Sequence, residues 1–529
     1  MTDIAADSAR APTKSEIRLV IASSSLGTVF EWYDFFIYGT LAAIIGRTFF
    51  PAGNPALELI LSLFGFAIGF GFRPLGAVLF GYLGDKLGRK YTFLVTITVM
   101  GLATAAIGFV PAAASIGMAA PIILLGLRIL QGLALGGEYG GAAIYVAEHA
   151  PPDKRGFYTS FIQASVAGGF ILSLAVVLTT QAIVGKDAWE AWGWRIPFIF
   201  SLLLLAISLW MRLKLSESPV FKAMKAKGEL AKNPLKETFT YPGNKRRLFV
   251  ALFGIAAGLT VIWYTALFQV LYFIQNSMRV EDQTAQLLVG VGAASGLFWF
   301  LLFGWVSDKI GRKKPIVIGY ALTLLLLFPI FHLIGGAANP GLAAAAARSP
   351  VVVSGRDCRY DPLAKIQASD CGKLLDHFSK KGVSYTTRDG AEAGVTIGAV
   401  AIADTSPAGL DAALVAGGYD LAKVKPSGRD VALILIGILA LAALSGMTYG
   451  PVAALLAELF PPRIRYSSMS IPYHIGTGYF GGFLPVISQY IIARTGDPYS
   501  GLWYTWVVTA MALIVTLLLL KETRWNEAT

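Results

Sequence analysis

Two ten-residue stretches decide the architecture: Gly81-Tyr82-Leu83-Gly84-Asp85-Lys86-Leu87-Gly88-Arg89-Lys90 and Gly304-Trp305-Val306-Ser307-Asp308-Lys309-Ile310-Gly311-Arg312-Lys313. They share the pattern G-x-x-x-D-K-x-G-R-K, lie 223 residues apart, and each stands between two long apolar segments. A charged turn repeated inside a hydrophobic chain indicates a duplicated bundle of helices. Duplicated bundles commonly bind small solutes between their halves.

The composition is that of an integral membrane protein. Of the 529 residues, 55% are hydrophobic and only 14% are charged, against about 25% charged residues in a typical soluble domain. The sequence contains no P-loop, no H-E-x-x-H and no CxxC pattern, and its four histidines are scattered. We therefore expect no enzymatic activity, no cofactor and no resident metal.

The basic residues are distributed unevenly. Of the 44 Lys and Arg residues, 26 lie in the two tails and in five alternate connections, which would share one side of a membrane. This clustering follows the positive-inside rule, so we expect both termini to be cytoplasmic. The placement of these basic residues on one side of a lipid bilayer thus accounts for the net charge of +12. We therefore expect no nucleic-acid partner.

A membrane-spanning helix needs about 20 apolar residues. We predict twelve spans, over residues 17–45, 57–83, 91–111, 118–148, 157–184, 194–213, 247–276, 285–306, 315–335, 431–459, 466–493 and 501–520. The predicted organisation is an N-terminal tail (1–16), a six-helix bundle (17–213), a cytoplasmic linker (214–246), helices seven to nine (247–335), an inserted domain (336–430), helices ten to twelve (431–520) and a C-terminal tail (521–529).

The insertion is located by a second repeat. The segment beginning Ala147-Glu148 resembles the one beginning Ala457-Glu458, at an offset of 310 residues, so the second half has gained about 87 residues. The polar stretch 336–430 is where they fit. Loops beyond about 15 residues are uncommon without structure of their own. Short apolar runs at Val351–Val353 and Val395–Ala403 alternate with a helix-like stretch near Asp370–Lys381, so we predict a small α+β domain outside the cytoplasm.

The two cysteines, Cys358 and Cys371, both fall in this insertion. An oxidising compartment favours a disulfide between them over two free thiols.

The first predicted span carries two carboxylates. Glu31, Asp34 and Tyr38 are spaced by three and four residues and share one helix face. An Asp near the bilayer centre costs roughly 2.5 to 3.5 kcal/mol on insertion scales. Ionisable groups inside a membrane are functional candidates by default, so Asp34 and Glu31 are candidates for proton binding. A structural salt bridge is the alternative.

The fourth predicted span supplies a counter-charge. Arg128, Gln131 and Glu138 follow one another along a helix face. Arg128 would lower the pKa of Asp34 if the two side chains met, whereas desolvation would raise it. Beside this face runs a row of glycines, which favours close packing of helix backbones. Its members are Gly132, Gly136 and Gly140.

On these two spans, Arg128 and Glu138 are also candidates for proton coupling, and Tyr38, Arg128 and Gln131 for solute binding. Further candidates for a solute site lie in other spans. Arg73 is a second cation in an apolar stretch, for which ligand binding and structural pairing are equally favoured. The seventh span offers Tyr264 and Tyr272, and the eleventh offers Tyr473 and His474. Aromatic residues in spans are more often packing than binding residues. An unperturbed histidine titrates near neutral pH, so proton transfer and a structural role both stay open for His474.

The repeated turns suggest gating. Asp85 with Arg89, and Asp308 with Arg312, would form ion networks with neighbouring helix ends in one conformation and lose them in another. The alternative is a solvated loop that only sets orientation.

These motifs together resemble the major facilitator superfamily. The repeated turn resembles its loop signature, and Arg128-Ile129-Leu130-Gln131-Gly132 its fourth-span signature. Four further stretches resemble one group within this superfamily, the metabolite:proton symporters of bacterial inner membranes. The stretches are Glu31-Trp32-Tyr33-Asp34-Phe35, Phe72-Arg73-Pro74-Leu75-Gly76, Gly136-Gly137-Glu138-Tyr139-Gly140-Gly141 and Trp192-Gly193-Trp194-Arg195-Ile196-Pro197-Phe198. That group carries shikimate, α-ketoglutarate, citrate and proline or betaine. The insertion at 336–430 departs from the pattern.

The resemblance implies two six-helix bundles, alternating access and uptake of a small polar metabolite together with a proton. It implies that Asp34 and Arg128 couple the proton and that Asp85 and Asp308 belong to gating loops. Two other functions stay open. One is a proton-antiport exporter or facilitator of the same fold. The other is a membrane receptor that binds its ligand with the external domain. In a transporter, the same domain would serve for solute capture or for docking of a partner.

Overall fold

The computed structural model describes residues 14–87, 89–137, 143–144, 146–147, 150–213, 234–364, 366–461 and 464–524. Within residues 14–24, 81–93 and 211–212 it describes the backbone alone. Glu138, Gly140 and most of the predicted linker lie outside the described residues, as do the side chains of Asp85 and Arg89.

The first half of the chain is helical. Its main helices are Lys14–Thr40, Ala42–Phe49, Pro55–Gly71, Arg73–Leu87, Arg89–Phe109, Ala119–Leu135, Arg155–Val184 and Ile196–Leu213. Short helical turns at Ala113–Ile116, Pro152–Lys154, Lys186–Ala191 and Gly193–Arg195 connect them. Arg195 donates to the carbonyls of Gly108 and Val110 at 3.0 and 2.6 Å, so it caps the end of Arg89–Phe109.

The second half repeats this pattern around an inserted sheet. Its helices are Pro234–Thr240, Asn244–Phe249, Ala257–Tyr264, Val270–Tyr272, Asp282–Ile310, Lys313–Ala338, Pro340–Arg348, Asp370–Lys381, Pro407–Ala416, Gly428–Tyr449, Val452–Leu459, Arg465–Ile475, Leu484–Thr495 and Leu502–Leu519. Four π-helical turns interrupt two long helices, at Val250–Ala256, Thr265–Gln269, Phe273–Ser277 and Gly476–Gly482. Such turns occur frequently at functional sites.

The sheet has four strands, β1 (Val351–Gly355), β2 (Tyr385–Asp389), β3 (Gly394–Ile397) and β4 (Val400–Ile402). Their order is β2-β1-β3-β4, with β1 parallel to β2 and antiparallel to β3. Alternate residues of β1 are buried because successive side chains of a strand point to opposite faces. A disulfide joins Cys358 to Cys371, as the sequence predicts.

Eight helices of the described chain are long and apolar enough to cross a membrane. They are Pro55–Phe80, Pro152–Val184, Gly193–Trp210, Asn244–Ser277, Asp282–Ile310, Lys313–Ala338, Gly428–Leu459 and Leu502–Leu519. Large apolar side chains on their outer faces are exposed, for example Ile183, Leu325 and Leu518 at 78%, 69% and 74%. Exposed apolar side chains on such helices are typical of a surface that contacts a membrane.

The glycine row of Ala119–Leu135 brings two helix backbones into contact. A Cβ atom at Gly132 would overlap the carbonyl of Gly69, and one at Gly136 would overlap the carbonyl of Arg73. Arg128 lies on helix Ala119–Leu135, and Arg73 lies on the continuous helix Pro55–Phe80 that it contacts. The close approach of these two helices places both arginines beside the interior of the bundle.

We predict that Gly132→Leu destabilises the protein by at least about 1–3 kcal/mol, because the added side chain must push two backbones apart. Thermal unfolding in detergent measures this. Gly126→Leu on the same helix is the matched control, since no atom lies within 4 Å of a Cβ built there. Equal melting temperatures for the two variants would contradict the packing argument.

We also predict that Cys358→Ser with Cys371→Ser loosens the sheet domain. The bond closes a loop with a sequence separation of 13, and loops of that size give about 3 kcal/mol. Hydrogen exchange of residues 351–402 should accelerate while exchange in Asp282–Ile310 stays unchanged. Unchanged exchange in the sheet would show that the disulfide adds nothing to its stability.

Candidate functional site

Arg128 is fully buried, with 0% of its surface exposed. Its guanidinium lies 4.3 Å from the ring centre of Phe35 and 4.4 Å from that of Tyr38. It donates to the side-chain carbonyl of Gln131 at 2.5 Å and to the backbone carbonyl of Gly65 at 3.4 Å. Cation–π contacts gain strength when the cation is desolvated, as this one is.

Asp34 lies on helix Lys14–Thr40, and it is buried. Its Oδ1 atom accepts a hydrogen bond from the Ser201 hydroxyl at 2.5 Å. The expected ion pair between Asp34 and Arg128 is absent from the described residues. The reason is that Arg128 lies over the rings of Phe35 and Tyr38, whereas the Asp34 carboxylate turns toward helix Ile196–Leu213.

Gln131 connects the two charged residues instead. It accepts from Arg128 and donates to the Thr104 hydroxyl at 2.6 Å and to the backbone carbonyl of Asp34 at 3.5 Å. The predicted pairing of Arg128 and Gln131 on one helix face is therefore present. The shared face of Asp34 and Tyr38 does not produce a common site, because the Tyr38 hydroxyl donates to the Ser62 carbonyl at 3.1 Å.

Arg73 forms a second buried cationic centre, also 0% exposed. Its guanidinium lies 5.0 Å from the ring centre of Trp32 and 5.2 Å from that of Phe70. One nitrogen donates to the Thr477 hydroxyl at 3.4 Å. That contact crosses from the first half of the chain to the second, so Arg73 lies at the interface between the halves.

Several buried polar atoms of these two cations and of helices in the second half have no hydrogen-bond partner within the part of the chain that the structure describes. They are Nε and Nη2 of Arg73, Nη2 of Arg128, both ring nitrogens of His474, the hydroxyl of Tyr264 and the side-chain amide atoms of Gln269. No described carboxylate lies within 4 Å of either guanidinium. Buried polar groups are normally satisfied, and a buried charge without a counter-charge costs several kcal/mol.

A column of aromatic rings runs along the interface between the halves. Tyr272, Phe268, Tyr264 and Phe70 follow one another with ring-centre separations of 6.1, 5.8 and 5.5 Å. The Tyr272 hydroxyl donates to the Gly39 carbonyl at 2.9 Å, which joins the second half to the first. The column ends at Arg73. Tyr473, by contrast, is bonded to Tyr449 at 2.5 Å within the second half.

The charged turn of the second half joins both halves at one end of the bundle. Asp308 accepts from the backbone N–H groups of Gly156 and Phe157, each at 2.8 Å, which begin helix Arg155–Val184. Arg312 donates to Asp308 at 2.7 Å and to Glu458 at 3.0 Å. The carboxylate of Glu458 also lies 3.5 Å from Arg155.

We call Asp308, Arg312, Glu458 and Arg155 the latch. Asp308 and Arg312 are almost completely buried, at 2% and 0% exposure. A carboxylate at a helix N-terminus is stabilised by the helix dipole and by the free N–H groups. The latch therefore joins the two halves at this end of the bundle. That it opens and closes the interface stays a prediction.

The remaining predicted acidic and basic residues differ in what the structure describes of them. Glu31 is buried, and it has an interaction partner. Glu138 lies outside the described residues, and so do the side chains of Asp85 and Arg89. The sequence reasoning missed Ser201, Thr477, Phe70 and Glu458. Only Glu458 carried a signal, because it belongs to the second repeat.

The chain matches the family model described as "Sugar (and other) transporter" over residues 19–252 and 411–527. It belongs to that family. The protein is thus a transporter of the major facilitator superfamily and not an enzyme, and the resemblance predicted from its motifs is confirmed. The unmatched residues between the two segments contain the sheet.

Curated relatives support the same assignment. The inner membrane metabolite transport protein YhjE of Escherichia coli is 31% identical over 96% of this chain and 94% of its own length. The shikimate transporter of Escherichia coli is 38% identical over 60% of this chain and 72% of its own length. The proline/betaine transporter of Salmonella typhimurium is 35% identical, and the chain spans 65% of its length.

Solved structures show the same fold. The xylose transporter XylE of Escherichia coli, in a partially occluded inward open conformation, covers 97% of this chain with a TM-score of 0.59 at 17% identity. At that identity the likeness concerns the fold alone.

We predict that Asp308→Asn opens the latch, because the neutral amide holds two backbone N–H groups and Arg312 less strongly. A cysteine introduced at Ser160, which packs against Gly304 behind the latch, should then react faster with a maleimide. Asp153→Asn is the control, since Asp153 is exposed and belongs to a short turn, Pro152–Lys154, beside the latch. Equal reaction rates in both variants would show that the latch does not close the interface.

Proposed function

We propose that the protein imports a small carboxylate-bearing metabolite together with a proton across the bacterial inner membrane. The observation that carries the proposal is the pair of buried guanidinium groups at or near the interface between the halves. Arg73 and Arg128 hold nitrogens without partners among the described residues. A guanidinium binds carboxylates in a planar, two-pronged geometry, so a solute carboxylate suits these nitrogens.

The names of the relatives fit this chemistry. Proline, betaine and shikimate, which those names mention, all carry a carboxylate. Tyr264, Gln269 and His474 have buried polar atoms without described partners and would bind the remainder of the solute. The rings between the halves fill this interface, so the halves must separate at one end for the solute to enter.

Asp34 is proposed as the proton-binding group. Its carboxylate is buried and accepts from Ser201, and Gln131 links its backbone to Arg128. A solute bound at Arg128 would change the position of Gln131 and, through it, the first helix. Protonation of Asp34 and occupation of the solute site would then be coupled without direct contact between the two charges.

We propose twelve spans, with both termini and the latch in the cytoplasm and the sheet domain outside. The eight long apolar helices and the shorter Ala119–Leu135 and Leu94–Phe109 support this count. Helices also cover the first and eleventh predicted spans. The basic residues of the alternate connections support the orientation. In this arrangement the latch closes the cytoplasmic end.

The direct test is accumulation of labelled glycine betaine, proline and shikimate in proteoliposomes with an imposed pH gradient. A symporter accumulates solute only when the outside is acidic. An antiporter gives the opposite dependence, a facilitator shows none, and a receptor moves no solute.

We predict that Asp34→Asn abolishes accumulation driven by the gradient but preserves exchange of internal for external solute. The matched control is Asp389→Asn, because Asp389 is exposed at the end of β2. Accumulation that persists unchanged in Asp34→Asn would remove Asp34 from the proposal.

A further inference from the structure

The sheet domain closes a cavity that belongs to neither half alone. The cavity has a volume of about 370 Å³. The first half lines it with Thr40, Arg47 and Glu58, the second with residues 275–286 and 489–498, and the sheet domain with residues 379–385. It lies at the opposite end of helix Asp282–Ile310 from the latch.

Hydrogen bonds fix the sheet domain to both halves around this cavity. Asn54 of the first half donates to the Tyr360 hydroxyl at 2.8 Å and to Asp376 at 3.2 Å. The Tyr385 hydroxyl of the sheet domain donates to the Ala493 carbonyl of the second half at 3.2 Å. The walls are therefore held in place by three separate parts of the chain.

The acidic groups of the cavity are mostly engaged. Glu58 accepts from the backbone N–H groups of Ala52 and Gly53 at 2.9 and 3.0 Å. Asp282 pairs with Lys423 at 2.7 Å. Glu190 stays exposed at the rim, where it would face a positively charged group of a zwitterion.

Two basic groups of the cavity, by contrast, form no ion pair with a described carboxylate. Arg47 is exposed to the cavity, and no described carboxylate pairs with it. Arg279 donates through Nη1 to the Lys381 carbonyl at 2.6 Å, and its Nε atom is buried without a described partner. Its φ of 57° is unusual for a residue other than glycine. Burial lowers the pKa of Arg279, and the Asp420 charge opposes this without forming an ion pair.

Two buried amides complete the lining. Gln286 and Gln489 are 6% and 7% exposed. The Oε1 atom of Gln286 and the Nε2 atom of Gln489 have no partner among the described residues. Unsatisfied donors and an acceptor from three elements thus surround one cavity, which is the usual composition of a small-molecule site.

We propose that this cavity is a second, external binding site for a small solute that carries a carboxylate. Arg47 and Arg279 bind the carboxylate, and the amides of Gln286 and Gln489 bind its polar groups. The inference rests on the proposed function for its orientation, with the sheet domain outside. Tyr272 lines both this cavity and the ring column, so solute held here stands at the entrance to Arg73.

The test uses single introduced cysteines, because both native cysteines are in the disulfide. Gln275→Cys places a thiol in the cavity, and Ala403→Cys places one on the exposed surface of the sheet domain. Each is labelled with a membrane-impermeant maleimide in right-side-out vesicles, with and without glycine betaine or shikimate as the probe. We expect one of the probes to slow labelling of Gln275→Cys and to leave Ala403→Cys unaffected.

Adding Arg47→Gln to Gln275→Cys should raise the probe concentration for half-protection about tenfold, as expected for loss of one charged contact. Arg494→Gln is the matched control, since Arg494 is exposed and does not line the cavity. Protection that survives Arg47→Gln unchanged arises from binding elsewhere and overturns the site. So does the absence of protection by both probes.

These outcomes separate the two proposals. If Ala403→Cys reacts only after the vesicles are permeabilised, the sheet domain lies inside and the proposed orientation fails. If it reacts from outside and gradient-driven uptake is present while Gln275→Cys is never protected, the proposed function stands and the external site fails.

Discussion

Two positive charges are held in the interior of the bundle, and this constraint organises the rest of the molecule. Placing an ion in a protein interior costs several kcal/mol unless a partner offsets it. Arg128 is offset by aromatic rings and by Gln131, and Arg73 by aromatic rings and Thr477. Neither has a carboxylate within 4 Å among the described residues. Under the proposed function, this partial compensation leaves binding free energy for the carboxylate of a solute.

The two ends of the bundle differ in how they are closed. At one end a buried ionic latch joins Asp308 to the N-terminus of helix Arg155–Val184. At the other end the sheet domain bonds to both halves and encloses a cavity. The ring column lies between the cavity and Arg73. Alternating access requires an element with two stable arrangements. Charged side chains that are paired in one arrangement and solvated in the other would provide such an element.

The sequence predicted the helical duplication because apolar length and the repeated turn depend on local pattern alone. The ion pair of the latch could also be predicted, since Asp308 and Arg312 are four residues apart at a helix end. The hydrogen-bond partners of Asp34 and Arg128 could not be predicted from the sequence. Side chains three or four residues apart share a face, but which neighbouring helix each one meets depends on helix rotation. Ser201 and Thr477 have no local signal in apolar segments.

The most direct measurement compares binding of shikimate with binding of its uncharged methyl ester, in the wild-type protein and in Arg73→Gln and Arg128→Gln. If the buried guanidinium groups bind the solute carboxylate, the wild type binds shikimate far more tightly than the ester, and the variants lose that preference. A carrier for zwitterions should show the same pattern with glycine betaine and its ester. Binding of acid and ester with equal affinity for both solutes, or a preference that survives in both variants, would contradict the account.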